Sequence, residues 1–113
     1  GESLQAWLLR HGPAGIPDWL DREVSRLFTI MWLGRVSHGD MKATNLIVCG
    51  EQLQLIDLDA LRRHRCKWFF KAAYGKDLQR FMDNWQGKTW QHFEQLLRPY
   101  ASQCGIKLIN KKV

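Results

Sequence analysis

Ser37-His38-Gly39-Asp40-Met41-Lys42-Ala43-Thr44-Asn45, followed by Leu55-Ile56-Asp57-Leu58-Asp59, decides how this chain is read. Four polar side chains (His38, Asp40, Lys42 and Asn45) stand at H-x-D-x-K-x-x-N spacing, and Asp57 closes an apolar run. Between the two, Leu46-Ile47-Val48 and Leu53-Gln54-Leu55-Ile56 flank Cys49-Gly50-Glu51-Gln52, a pattern of two short strands around a tight turn. A single Asp before a strand is ordinarily a local cap of a turn. Local capping does not explain four polar positions in register with an Asp delivered by a hairpin.

Helical spacing flanks this centre on both sides. Upstream, Leu4, Trp7 and Leu8 share one face of a short helix that stops at His11-Gly12-Pro13-Ala14-Gly15. After Pro17, Asp18 is placed to cap a second helix with the stripe Leu20, Val24, Leu27, Phe28 and Met31, ending near Gly34. Downstream, Leu78, Phe81, Met82 and Trp85 predict a helix that stops before Gly87. Trp90, Phe93, Leu97 and Tyr100 predict a last one, bent or ended by Pro99. Aromatic residues at these spacings are core candidates, and the tail from Lys107 to Val113 has little to hold it. The order is helix, helix, hairpin, helix, helix: an α+β chain, mainly α, with a small β-hairpin carrying the two polar loops.

Composition sets the outer limits. With 113 residues, 45% of them hydrophobic and six of them Trp, the chain is a single domain over 1–113 with a real core, not a disordered tract. The best apolar run, Phe28 to Leu33, is far short of the ~20 residues that span a bilayer. The opening Gly-Glu-Ser has neither a basic nor an apolar leader segment, so no signal peptide is expected, and the missing Met suggests a processed or excised piece. Cys49, Cys66 and Cys104 are odd in number and widely spaced, which predicts free thiols in a reducing cytoplasm. Seventeen Lys and Arg against 11 Asp and Glu give a net charge of +6, which favours anionic partners without choosing among them.

The H-x-D-x-K-x-x-N loop, the hairpin and the following Asp resemble the catalytic loop and metal-binding Asp of the protein-kinase-like fold. Phosphoryl transfer needs positioning and charge neutralisation more than covalent work by the protein. The resemblance implies that Asp40 accepts or orients the substrate hydroxyl and that Lys42 sits near the transferring phosphate. It implies that Asn45 and Asp57 supply hard oxygens for Mg²⁺ held between the phosphates of ATP, and that His38 braces the loop. Gly39 stands where protein kinases commonly carry Arg, which speaks against control by a phosphorylated activation loop.

The wording HGDMKATNLIV, then LIDLDALRRHR, is similar to the bacterial lipopolysaccharide kinase family (Kdo/WaaP and InaA-like), as is KDLQRFMDNW from Lys76 to Trp85. The similarity covers roughly residues 3 to 100. It implies a parent enzyme that moves the γ-phosphate of ATP to a sugar hydroxyl of the lipopolysaccharide core, in the cytoplasm or in peripheral contact with the inner face of the inner membrane. Aminoglycoside and choline kinases share the H-G-D…N…D skeleton but commonly carry His in place of Lys42. Small tRNA-modification kinases usually keep Asp-Phe-Gly, where this chain has Asp57-Leu58-Asp59.

The residues before His38 contain no G-x-G-x-x-G and read as two helices, so a kinase-like C-terminal lobe is expected, without its nucleotide-binding N-lobe and inactive by itself. The rivals are another small-molecule or tRNA-associated kinase of this fold and a non-catalytic basic binding module, a pseudokinase. The intact set Asp40, Asn45 and Asp57 argues against the pseudokinase. Arg62-Arg63-His64-Arg65-Cys66-Lys67 follows Asp57 and reads either as a solvated loop or as an attractor of an anionic acceptor through Arg62, Arg63 and Arg65. Trp68, Phe69 and Phe70 adjoin these charges, yet no nucleic-acid motif accompanies them, which disfavours a nucleic-acid partner.

Overall fold

The computed structural model of the chain describes residues 1–112. A short strand, β1 (Glu2–Ser3), leads into helix α1 (Leu4–His11), where Ser3 caps the first turn by accepting the Ala6 N–H at 3.1 Å. A 3₁₀ turn over Gly12–Ala14 then redirects the chain into α2 (Asp18–Gly34). The stripe along α2 is as expected: Leu20, Val24, Phe28 and Met31 are buried and Leu27 is partly so. The start of α2 differs from expectation, while its end at Gly34 is as expected. Pro17 occupies the N-cap, and Asp18 is the first helical residue with no side-chain cap bond; with Asp21 it places negative charge on the helix N-terminus. Gly34 is still helical, and Arg35 takes the left-handed conformation that ends the helix (φ 52°).

Two small antiparallel sheets follow. Strands β3 (Leu46–Cys49) and β4 (Gln52–Leu55) form the expected hairpin, pairing Leu46 with Leu55 and Cys49 with Gln52. Gly50, at φ 60°, opens its two-residue turn, where a side chain would be strained. Strand β1 joins the free edge of β3. The second sheet pairs β2 (Val36–Ser37) with β5 (Arg62–Arg63), so two of the six residues of the basic run form a strand, with their side chains still exposed.

Helices α3 (Lys67–Met82) and α4 (Gly87–Gln103) complete the chain. Helix α3 begins well before Leu78, taking in Trp68 to Tyr74, and ends at Met82, so Trp85 lies beyond it while still packing into the core. Pro99 sits inside α4 without ending it.

The core centres on Phe28, whose ring meets Tyr74 and Phe81 edge-on at 6.0 and 5.6 Å. Pairs of this geometry contribute about 1 kcal/mol each beyond area burial. The Tyr74 hydroxyl donates to the Phe28 carbonyl at 2.9 Å, and its burial pushes the phenol pKa up. The tail is better held than expected. Leu108 is buried, and Gln79 brackets Ile109 by donating to its carbonyl at 2.8 Å and accepting its N–H at 3.0 Å. Val113 lies outside the described residues. All three cysteines are free, and no helix among the described residues is long and apolar enough to cross a membrane.

Candidate active site

The loop from His38 to Asn45 connects β2 to β3 and makes few contacts through its own regular structure, so its shape depends on side chains clamping its backbone. Asp77, on the buried face of α3, accepts the His38 N–H at 2.7 Å and the Gly39 N–H at 2.9 Å through its two carboxylate oxygens. Burial raises its pKa, and the two backbone bonds pull the other way. Asn84, just past the end of α3, holds the far side of the loop. Its amide donates to the Met41 carbonyl at 3.0 Å, and its oxygen accepts the Ala43 N–H at 2.9 Å.

His38 is fully buried and bridges the two polar loops. Its Nδ1 accepts the Asp40 N–H at 3.1 Å, which leaves the proton on Nε2, and that nitrogen donates to the Ile56 carbonyl at 2.9 Å. The ring is therefore a neutral brace between Asp40 and the residue before Asp57. Ile56 is tied back a second time, its N–H donating to the Asn45 carbonyl at 2.8 Å. Gly39, at φ 94°, adopts a conformation that side chains resist, and a Cβ there would lie 3.2 Å from that of Ala60.

The structure places the expected chemical residues as follows. The Asp40 carboxylate faces Lys42 Nζ at 3.4 Å, half-exposed on the surface. Asn45 is buried and donates its amide to the Asp40 carbonyl at 3.0 Å, which points its oxygen away from that bond with no protein hydrogen bond of its own. Asp57 has left-handed backbone (φ 58°, ψ 64°), is exposed, and its carboxylate has no hydrogen-bond or ion-pair partner among the described residues. Such a backbone is sparsely populated for a side-chain-bearing residue and concentrates at functional positions. Asp40, Lys42, Asn45 and His38 are thus brought together directly. Asp57 joins them through the two bonds to Ile56.

Two unpartnered oxygen donors, one amide and one carboxylate, fit a hard cation such as Mg²⁺ that takes its other ligands from phosphates. Among the described residues no three His, Cys, Asp or Glu side chains converge, so this pair alone is not a complete metal cage.

Three functional residues were not singled out from the sequence. Arg80 approaches Asp40 from α3, Nε to Oδ1 at 3.7 Å, and donates to Asn84 at 3.1 Å. Asp77 had a visible signal: it is a carboxylate on the face that carries Phe70, Tyr74, Leu78 and Phe81. Asn84 had none, because an Asn after a helix is an ordinary terminator.

Of the expected anion-binding residues, Arg62 and Arg63 lie on β5 beside Ser37 and Val36. Arg63 and Arg65, with His64, Arg35, Gly34 and Leu33, line a cleft of about 760 Å³ that Arg62 does not enter. No family model matches the chain, and no curated protein or solved structure matches it either.

Proposed function

We propose that this chain is the C-terminal lobe of a phosphotransferase that moves the γ-phosphate of ATP to a sugar hydroxyl, with the lipopolysaccharide core as the acceptor. The observation that carries the reading is the clamped loop. Asp40, Lys42 and Asn45 are fixed on one short segment, and His38 links that segment to Asp57 through the Ile56 carbonyl. The lipopolysaccharide acceptor rests on the sequence resemblance alone.

In this reading Asp40 orients the acceptor hydroxyl and takes its proton as the oxygen bonds to the γ-phosphorus. The bond from that phosphorus to the β–γ bridging oxygen breaks, and ADP leaves. Lys42 lies beside Asp40, where it offsets charge on the transferring group. Asn45 and Asp57 are the residues that would hold Mg²⁺, which neutralises phosphate charge when bound. His38, Asp77 and Asn84 touch no reactant and act by positioning. The second lobe, with its glycine-rich phosphate cover, is part of the proposal.

Transfer of labelled γ-phosphate from ATP to lipopolysaccharide core oligosaccharide tests this. The 113 residues alone should give background counts. Fused to a nucleotide-binding lobe they should give transfer that Asp57→Ala abolishes and that Asp40→Ala lowers by about 10³-fold, the scale of general-base catalysis. Asp40-dependent turnover by the isolated chain removes the two-lobe reading. Near-normal transfer in Asp57→Ala removes the site assignment.

A further inference from the structure

We propose that the cleft between the C-terminal end of α2 and residues 63–65 is a binding site for a phosphate monoester, gripped by the guanidinium groups of Arg35, Arg63 and Arg65. The β2–β5 pairing builds it. Val36 lies opposite Arg63, and the His64 N–H donates to the Arg35 carbonyl at 2.8 Å, so residue 35 is held beside residues 63–65. The third wall, Leu33 and Gly34, is the last turn of α2. No acidic residue lines the cleft.

What marks this cluster among the described residues is that several unpaired guanidinium groups stand together, where Arg22 stands unpaired but alone. Arg10, Arg26, Arg80 and Arg98 each face a carboxylate. Arg35, Arg62, Arg63 and Arg65 have none among the described residues, although they are gathered on one sheet and one helix end. Like charges held together without counter-ions repel, and an anion in the cleft relieves that repulsion. The guanidinium fork matches a phosphate oxygen pair, which favours this ligand over an uncharged polar one.

Arg35 adds an independent argument. Its φ of 52° is one that glycine adopts at no steric cost, yet glycine stands one position earlier, at Gly34, where the chain is still helical. The left-handed position that ends α2 is thus filled by an arginine that lines the cleft, where glycine would fit without strain. His64 lines the same wall, with Nε2 held 2.7 Å from Ser37 Oγ. A smaller cleft of about 170 Å³ adjoins, also lined by Arg35 and containing Lys67 and Lys71, which extends the positive surface toward α3.

That the bound phosphate belongs to the sugar acceptor rests on the phosphotransferase reading; the existence of the site does not. Calorimetric titration of the 113-residue chain with glucose 6-phosphate, with glucose as the uncharged control, tests the site alone. Saturable binding of glucose 6-phosphate and none of glucose is expected. Arg35→Gly should weaken binding at least tenfold while the Tm holds or rises, because glycine relaxes the backbone at that position. Arg63→Gln and Arg65→Gln should each weaken it several-fold, and Arg22→Gln, an unpaired arginine elsewhere on α2, should leave it within twofold. Equal affinity in Arg35→Gly and the unaltered chain overturns the site, and so does an equal loss in Arg22→Gln, which would mean diffuse charge. Binding with no transfer activity in any two-lobe form leaves the cleft standing and removes the phosphotransferase reading. Active enzyme whose acceptor KM is unmoved by Arg35→Gly leaves the phosphotransferase reading standing and removes the cleft from acceptor binding.

Discussion

Residues 38–45 and residues 58–71 are neighbours in space and opposites in construction. The first segment has its backbone clamped by Asp77, Asn84, Asn45 and the buried His38, and four of these six bonds come from α3 and the residue just past it, distant in sequence. The second exposes Leu58, Leu61, Trp68 and Phe69 and carries guanidinium groups with no carboxylate partner. One is fixed before any ligand arrives, as a site that must place reacting atoms to within a fraction of an ångström requires. The other leaves its charge unsatisfied, which suits attraction of an anion from solution more than precise placement. On the proposed reading, positioning and recruitment fall to different stretches of chain.

The sharpest way to break this contrast is to remove the clamp. Asp77→Ala leaves the buried His38 N–H and its Gly39 neighbour without acceptors, and two orphaned donors cost about 3 kcal/mol together. Urea unfolding should show that loss as a lower midpoint with an unchanged slope. A cost below about 0.5 kcal/mol, the range of a neutral surface change, would mean the loop is not held from α3. Asn84→Ala should follow at about 2 kcal/mol, since it strips partners from Met41 and Ala43 at the other side of the same loop.

A smaller effect lies farther from the site. Glu23 on α2 accepts the Leu53 N–H at 2.8 Å and is bonded to Arg26, which ties α2 to strand β4 and so steadies the hairpin before Asp57. The Arg26 bond holds the Glu23 carboxyl below its usual range despite partial burial. A lowered folded-state pKa gives stability that is present above the unfolded value of 4.5 and lost as pH falls through the folded value. Glu23→Gln should therefore cost about 1 kcal/mol at pH 7, and the gap should close as the pH is taken below 4. A gap that persists at acid pH would assign the effect to packing.

The hairpin, the stripe of α2 and the H-x-D-x-K-x-x-N loop were legible because each depends on local spacing. The rest was not, for identifiable reasons. Arg62-Arg63 reads as part of a loop until Val36-Ser37 is placed opposite, and that pairing is invisible in a linear pattern. The α3 start was missed because Trp68 and Phe69 break the apolar period, standing exposed beside buried Phe70. Asn84 and Arg80 enter the site only because α3 runs under the loop. The end of α2 near Gly34 was legible as well, but not that the left-handed residue after it would be Arg35.

The smallest expected effect is the one that most sharpens the comparison. Trp68 and Phe69 are 83% and 72% exposed in the first turn of α3, although an aromatic side chain of either size normally gains by burial. Neither makes a ring contact with another aromatic, whereas Phe70, next in sequence, packs against Trp32 and Tyr74 at 5.4 and 5.3 Å. Replacing Trp68 and Phe69 together by Ser removes apolar surface that folding does not bury, so stability should change by no more than about 0.5 kcal/mol in either direction. Self-association should fall, because two adjacent exposed aromatics are the kind of apolar surface through which copies adhere. Sedimentation at several concentrations reads the second quantity, and urea unfolding the first. A loss above about 2 kcal/mol would show that the two rings are packed and that residues 58–71 are built like the loop beside them. Unchanged stability with weaker association would leave the two regions as different as their bonding makes them, one clamped by the fold and the other presenting Trp68 and Phe69 to solvent.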